Sequence, residues 1–60
     1  MYIIQGKSEE QTRFKAMDLD SNTQVNNLTY ATRVPKEKLN DTLIRLKYIK
    51  PTWQFKTKLM

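Results

Sequence analysis

The sequence contains neither cysteine nor histidine, and this absence most strongly limits what a chain of 60 residues can fold into. Disulfide bonds and thiolate or imidazole metal sites, which stabilise many small domains, are excluded. A domain of this length buries only about 60% of the surface that its unfolded chain exposes. We therefore expect a single domain over residues 1–60, held by a hydrophobic core without a cofactor. Homo-oligomerisation is the remaining way to bury more surface.

Strands are predicted near both ends of the chain. Residues 1–5 contain a β-branched and aromatic run, which is typical of a strand, and in residues 53–59 every second residue is Lys or Gln. A period of two predicts a strand with one buried face. Residues 12–19 could form a helix capped by Ser8, but their apolar positions make no helical stripe, which favours a second strand that pairs with the first. Turn formers at 18–22 predict a break before a third, short strand within 23–28.

A helix is predicted from about residue 35 to residue 49. Leu39, Leu43 and Leu46 are spaced at i, i+4 and i+7, so that they form one apolar stripe on a helix. Pro35 suits the first helical position, where its missing N–H is not needed. Pro51 prevents the helix from continuing.

These elements predict an α+β domain, with a small antiparallel-rich sheet of three to four strands and one helix in the C-terminal half. The order along the chain would be ββ(β)αβ, and the helix would pack on one face of the sheet. The predicted core consists of Ile4, Phe14, Ala16, Tyr30, Leu39, Leu43, Leu46, Trp53, Phe55 and Leu59.

A helix-turn-helix arrangement is the alternative architecture. It would place helices at 8–19, 28–33 and 35–48. The cations that then meet DNA would be Lys36, Lys38 and Arg45. The middle helix would be barely longer than one turn and no glycine precedes the last helix, and so the α+β arrangement is favoured.

Positive charge is concentrated in the second half of the chain. The net charge is +5, and residues 31–60 hold eight of the eleven Lys and Arg but only two of the six Asp and Glu. A surface that binds a polyanion produces such an asymmetry. A charge excess that only keeps the protein soluble produces it as well.

The strand alternation places four cations on one hypothetical surface. If Phe14 and Ala16 face the core, then Arg13 and Lys15 face outward. If Trp53 and Phe55 face the core, then Lys56 and Lys58 face outward too. Such a sheet face, with Arg13, Lys15, Lys56 and Lys58, would suit the phosphates of a nucleic acid. The alternative is a solvated face whose lysines protect an edge strand from aggregation.

No catalytic or metal-binding constellation is recognisable. A nucleophile and base cannot be paired in the usual ways without His or Cys. The run at 18–22 resembles the start of a calcium loop, but Thr23 and Thr29 stand where the loop needs Gly and Glu, so a turn is favoured. We therefore expect a binding protein and not an enzyme. With no signal peptide or long apolar segment, a cytoplasmic location without a membrane partner is expected.

Several short stretches resemble small uncharacterised proteins encoded by phages and prophages of Gram-positive bacteria. The stretches are Tyr2-Ile3-Ile4, Arg13-Phe14-Lys15-Ala16, the run at 27–33 and Trp53-Gln54-Phe55-Lys56. The resemblance implies a strand at 12–19 and a phage context, and it supplies no binding residues. Two hypotheses follow: a phage accessory protein that binds nucleic acid, or a protein–protein interaction module that modulates a host or phage protein or self-associates.

Overall fold

The computed structural model describes all 60 residues and shows an α+β fold. One antiparallel sheet contains four strands in the spatial order β3-β2-β1-β4. The elements are β1 (Tyr2–Lys7), β2 (Lys15–Asp18), β3 (Thr23–Gln24), α1 (Leu39–Ile49) and β4 (Gln54–Leu59). The predicted fold class is confirmed, and the helix-turn-helix arrangement is wrong, because residues 15–18 form a strand and α1 is the only α-helix.

Strand β1 is the centre of the molecule. It pairs with β2 along one side and with β4 along the other. Its successive residues Ile3 and Ile4 are both fully buried. Because consecutive side chains in a strand point to opposite faces, both faces of the sheet are covered at this position.

Helix α1 covers the face on which Ile4 lies. Leu46 is fully buried and packs in one cluster with Ile4, Met17 and Val34. The helix begins at Leu39, four residues later than predicted, because the chain first makes a 3₁₀ turn over 36–38. The helix ends at Ile49 as expected, where the next residue still donates its N–H to the Leu46 carbonyl at 2.8 Å.

The segment 25–34 covers the opposite face. Ala31 packs against Ile3 and Ala16 in a second, smaller buried cluster. Thr32 attaches this segment to β2: its N–H donates to the Met17 carbonyl at 3.1 Å, and its hydroxyl accepts from the Leu19 N–H at 2.8 Å. The sheet is therefore covered by a helix on one face and by an irregular segment on part of the other.

Two residues predicted for the core are exposed. Tyr30 is 69% exposed because it lies in a 3₁₀ turn over 28–30 that follows the very short β3. Leu59 is 65% exposed because it ends the edge strand, with a neighbouring strand on one side only. Phe14 is half-buried, and Ala16 is buried on the face away from the helix. Met17, and not Ala16, is the buried residue of β2 that faces the helix, one position later than predicted.

The predicted turn at 18–22 is present and is held by Asp18. This carboxylate accepts hydrogen bonds from the Asp20 N–H at 3.1 Å, the Ser21 hydroxyl at 2.9 Å and the Thr32 hydroxyl at 3.3 Å. Asn22 adopts the left-handed conformation, with φ of 57°, which Asn tolerates better than most residues. The bonds from Asp20, Ser21 and Thr32, in that order of effect, lower the pKa of Asp18 despite some desolvation.

Candidate nucleic-acid interface

Lys56 and Lys58 lie on the face of the sheet away from helix α1. Lys58 is paired with Ile3 and Lys56 with Gln5 in the antiparallel register of β1 and β4. Directly opposed residues share a face, and Ile3 belongs to the face covered by the segment 25–34. Both lysines are exposed, because that segment does not extend over β4.

Two ammonium groups converge on the ring of Phe14. The Lys56 Nζ atom lies 4.5 Å from the ring centre and the Lys7 Nζ atom lies 5.7 Å from it. Lys7 also donates a hydrogen bond to the Gln11 carbonyl at 3.2 Å. We call the surface formed by Lys7, Phe14, Lys56 and Lys58 the basic face. Lysine ammonium groups above an aromatic ring are held by cation–π attraction, so these side chains are partly ordered before any ligand arrives.

The two predicted cations of the second strand, Arg13 and Lys15, line the same depression beside Phe14. Arg13 is exposed and lines a shallow depression of about 330 Å³ together with Phe14 and Gln5. Lys15 also lines this depression, but it is paired with Gly6 and therefore shares the helix-side face of the sheet. The predicted grouping of four outward cations on one face is therefore wrong for Lys15.

Lys7 takes the place that was predicted for Lys15. The sequence interpretation ended the first strand at residue 5, whereas β1 continues through Lys7. A signal was present, because polar Gln5 and Lys7 alternate with Ile4 and Gly6, the single glycine of the chain.

Trp53 and Phe55 lie on the helix side, as expected for core residues. Both are half-buried and pack against the cluster around Leu46. Their rings are stacked with centres 6.3 Å apart and planes inclined by 25°. They therefore contribute to the core and do not form an open platform for bases.

A second concave surface lies between α1 and the segment that leads into it. This cleft has a volume of about 510 Å³, and Arg33, Lys38 and Arg45 line it. Asp20 and Asp41 line it as well, which leaves the cleft with little net charge. It is therefore a weaker candidate for a polyanion than the basic face.

The structure contains neither a metal-ligand cluster nor a membrane-spanning helix. Nowhere do three side chains of His, Cys, Asp or Glu come together in a way that could hold a metal ion. Helix α1 is too short to span a bilayer, and the protein has no other α-helix. Comparisons of the chain with protein-family models, curated proteins and solved structures found no match.

Proposed function

We propose that this protein binds nucleic acid, without catalysis, through the basic face. The observation that carries the proposal is the convergence of Lys7 and Lys56 on the Phe14 ring. Cations around an aromatic ring are the combination that proteins use for single-stranded nucleic acids, with ammonium groups on the phosphates and a base stacked on the ring. Lys58 lies on the same face of the sheet, two residues further along β4 than Lys56.

The charge of the whole chain supports this proposal. The net charge of +5 attracts a polyanion from a distance, and the basic face then supplies the local contacts. Arg13, which lines the depression beside Phe14, would add one more phosphate contact. The resemblance to phage and prophage proteins suggests an accessory role in a phage, with binding in the cytoplasm of the host cell.

A protein–protein interaction module is the second candidate function, and the outer surface of α1 favours it. Ile44 is 61% exposed and Tyr48 is 87% exposed. They are four residues apart in the helix and so lie side by side on its surface. An exposed apolar pair of this kind would contact another protein and would add nothing to binding of phosphates.

Salt dependence distinguishes the two functions. Binding of nucleic acid should weaken steeply between about 50 mM and about 200 mM salt, whereas apolar contacts are nearly insensitive. The double change Lys56→Gln and Lys58→Gln should reduce the slope of log K against log salt by about 1.4 units, about 0.7 for each phosphate contact with a single strand.

The matched control is Lys36→Gln with Lys38→Gln, which removes the same charge from the exposed 3₁₀ turn before α1. A titration of a fluorescent single-stranded oligonucleotide at several salt concentrations gives both slopes. If the control pair changes the slope as much as the strand pair does, the basic face is not the binding surface. Absence of binding at low salt would leave the protein–protein module.

A further inference from the structure

Strand β4 has one side without a partner. It forms an edge of the sheet and pairs only with β1, over all six of its residues. The Met60 N–H donates to the Met1 carbonyl at 3.0 Å, which sets the alternation of hydrogen bonds along the strand. In an antiparallel pair, alternate residues direct their N–H and C=O groups toward the partner. Phe55, Thr57 and Leu59 therefore direct theirs away from the sheet.

We propose that β4 pairs with β4 of a second copy of this chain, and that nucleic acid on the basic face promotes this pairing. The promotion by nucleic acid rests on the proposed function, whereas the self-pairing of β4 does not. The outward N–H and C=O groups permit several antiparallel registers, and the register with a two-fold axis at Thr57 is the one that pairs all three residues, Phe55, Thr57 and Leu59, with the second copy. In this register Thr57 is opposite Thr57 of the second copy, and Phe55 is opposite Leu59 of the second copy. The pairing would join two four-stranded sheets into one sheet of eight strands.

The helix-side surface of β4 is self-complementary in this register. Leu59 is 65% exposed in the single chain, and Phe55 is only half-buried. The two-fold axis brings each leucine against a phenylalanine of the other copy, and aromatic and aliphatic residues that are directly opposed stabilise a strand pair. A second copy therefore covers the exposed leucine that the single chain leaves in water.

The opposite surface of β4 resists the same pairing. Lys56 would lie opposite Lys58 of the second copy, and the two-fold axis repeats this contact. These are pairs without mutual hydrogen bonds, in which the Cα atoms approach to about 4.5 Å. Directly opposed like charges destabilise strand pairing, and lysines on an edge strand are a common protection against it.

Phosphates on the basic face would remove this resistance. The paired strands would present four lysines in one strip, and a polyanion that neutralises them favours the dimer over the monomer. By linkage, dimerisation would then raise the affinity for the polyanion by the same factor. A foreign acidic strand at this edge would also satisfy the lysines, but it would not need the apolar match between Phe55 and Leu59.

Sedimentation velocity of the full chain tests the first part without nucleic acid. The variant Lys56→Gln with Lys58→Gln should dimerise about tenfold more tightly than the wild type, because two repulsive pairs are removed. Adding Thr57→Pro should abolish this dimer, since the N–H that proline removes points away from β1 and proline is tolerated at such positions. Leu59→Lys at an exposed position is a second way to block the dimer, and Thr57→Ser is the control that should keep it.

The second part is tested by adding a single-stranded oligothymidine to the wild type at low salt. We expect dimers that Leu59→Lys prevents while the oligonucleotide still binds. A Lys56→Gln and Lys58→Gln variant that stays monomeric, or a dimer that withstands both blocking changes, overturns the proposal. The Lys56→Gln and Lys58→Gln variant could form dimers while the wild type binds no oligonucleotide. That result would support the self-pairing of β4 and refute only the proposed function.

Discussion

Gly6 and Phe55 are directly opposed on β1 and β4, and the glycine leaves the space that the phenylalanine ring occupies. A Cβ atom on Gly6 would lie 2.9 Å from Cε1 and 3.0 Å from Cδ1 of the Phe55 ring. The Met17 sulfur would lie 3.2 Å from the same atom. The single glycine of the chain is thus required by close packing, and its φ angle is not positive.

The first prediction is that Gly6→Ala destabilises the protein. The added methyl group must displace the Phe55 ring, which is stacked on Trp53 and covers part of the core. Overpacking of this kind costs about 1–3 kcal/mol, which exceeds the gain from a less flexible unfolded chain, about 0.4–1 kcal/mol. Urea unfolding of the variant gives the difference in the free energy of unfolding.

A double-mutant cycle with Phe55→Leu identifies the cause. Leucine is shorter than phenylalanine, so Gly6→Ala should cost less in the Phe55→Leu background, with a coupling of at least about 0.5 kcal/mol. Equal costs in the two backgrounds would show that the Phe55 ring does not restrict position 6.

The second prediction concerns Phe14. If a base stacks on this ring, the lysines that now lie over it move to phosphates, and the ring contributes affinity without charge. Phe14→Leu keeps an apolar side chain but removes the aromatic face, so it should weaken binding of single-stranded oligonucleotides by about 1–3 kcal/mol. The salt slope should be unchanged, because no cation is lost.

Fluorescence anisotropy at several salt concentrations measures both quantities for Phe14→Leu. Trp53→Leu is the control, because it removes an aromatic ring that packs against the core on the helix side of the sheet and lies outside strand β4. Wild-type affinity in Phe14→Leu would mean that the ring only positions the lysines. A loss of affinity in the control as large as that in Phe14→Leu would mean that binding responds to stability and not to the basic face.

Much of the fold could be predicted because two elements, α1 and β4, each have one apolar face and one polar face. The three leucines of α1 form a single stripe, and β4 alternates strictly between lysine or glutamine and other residues, so the orientation of each element was predicted correctly. Strand β2 offers no such contrast, because Ala16 and Met17 are both buried, one on each face. A strand covered on both sides has no polar face from which its orientation can be read.

The candidate site was only partly predictable for the same reason. Lys56 and Lys58 follow from the alternation of β4, and the structure places them together on the exposed part of one face. The contact between Lys56 and Phe14 depends on the orientation of β2, and a shift by one residue moves every side chain of a strand to the other face. The sequence interpretation placed Phe14 in the core with Lys15 outward, and so it missed the ring at the centre of the basic face.

The third prediction concerns pH and Asp18. Hydrogen bonds from the Asp20 N–H and from the Ser21 and Thr32 hydroxyls lower the pKa of this carboxyl below its ordinary value of 3.8. A group whose pKa is lower in the folded than in the unfolded state stabilises the fold at pH values above the unfolded value. This stabilisation is lost as the pH falls from there through the lowered pKa. The ionised Asp18 should therefore contribute to stability at neutral pH and contribute nothing in strong acid.

Thermal unfolding of Asp18→Asn across this pH range tests the assignment. The amide cannot ionise, so the wild type should melt at a higher temperature than the variant at neutral pH, and the difference should shrink as the pH falls below 3.8. Asp20→Asn is the control, because Asp20 contributes its backbone N–H to the turn and keeps that group in the variant. A difference between wild type and Asp18→Asn that is constant with pH would mean that the charge of Asp18 does not hold the turn. In that case the three hydrogen bonds would stabilise the turn without a contribution from the negative charge. The single amide oxygen of the variant side chain could accept only part of them.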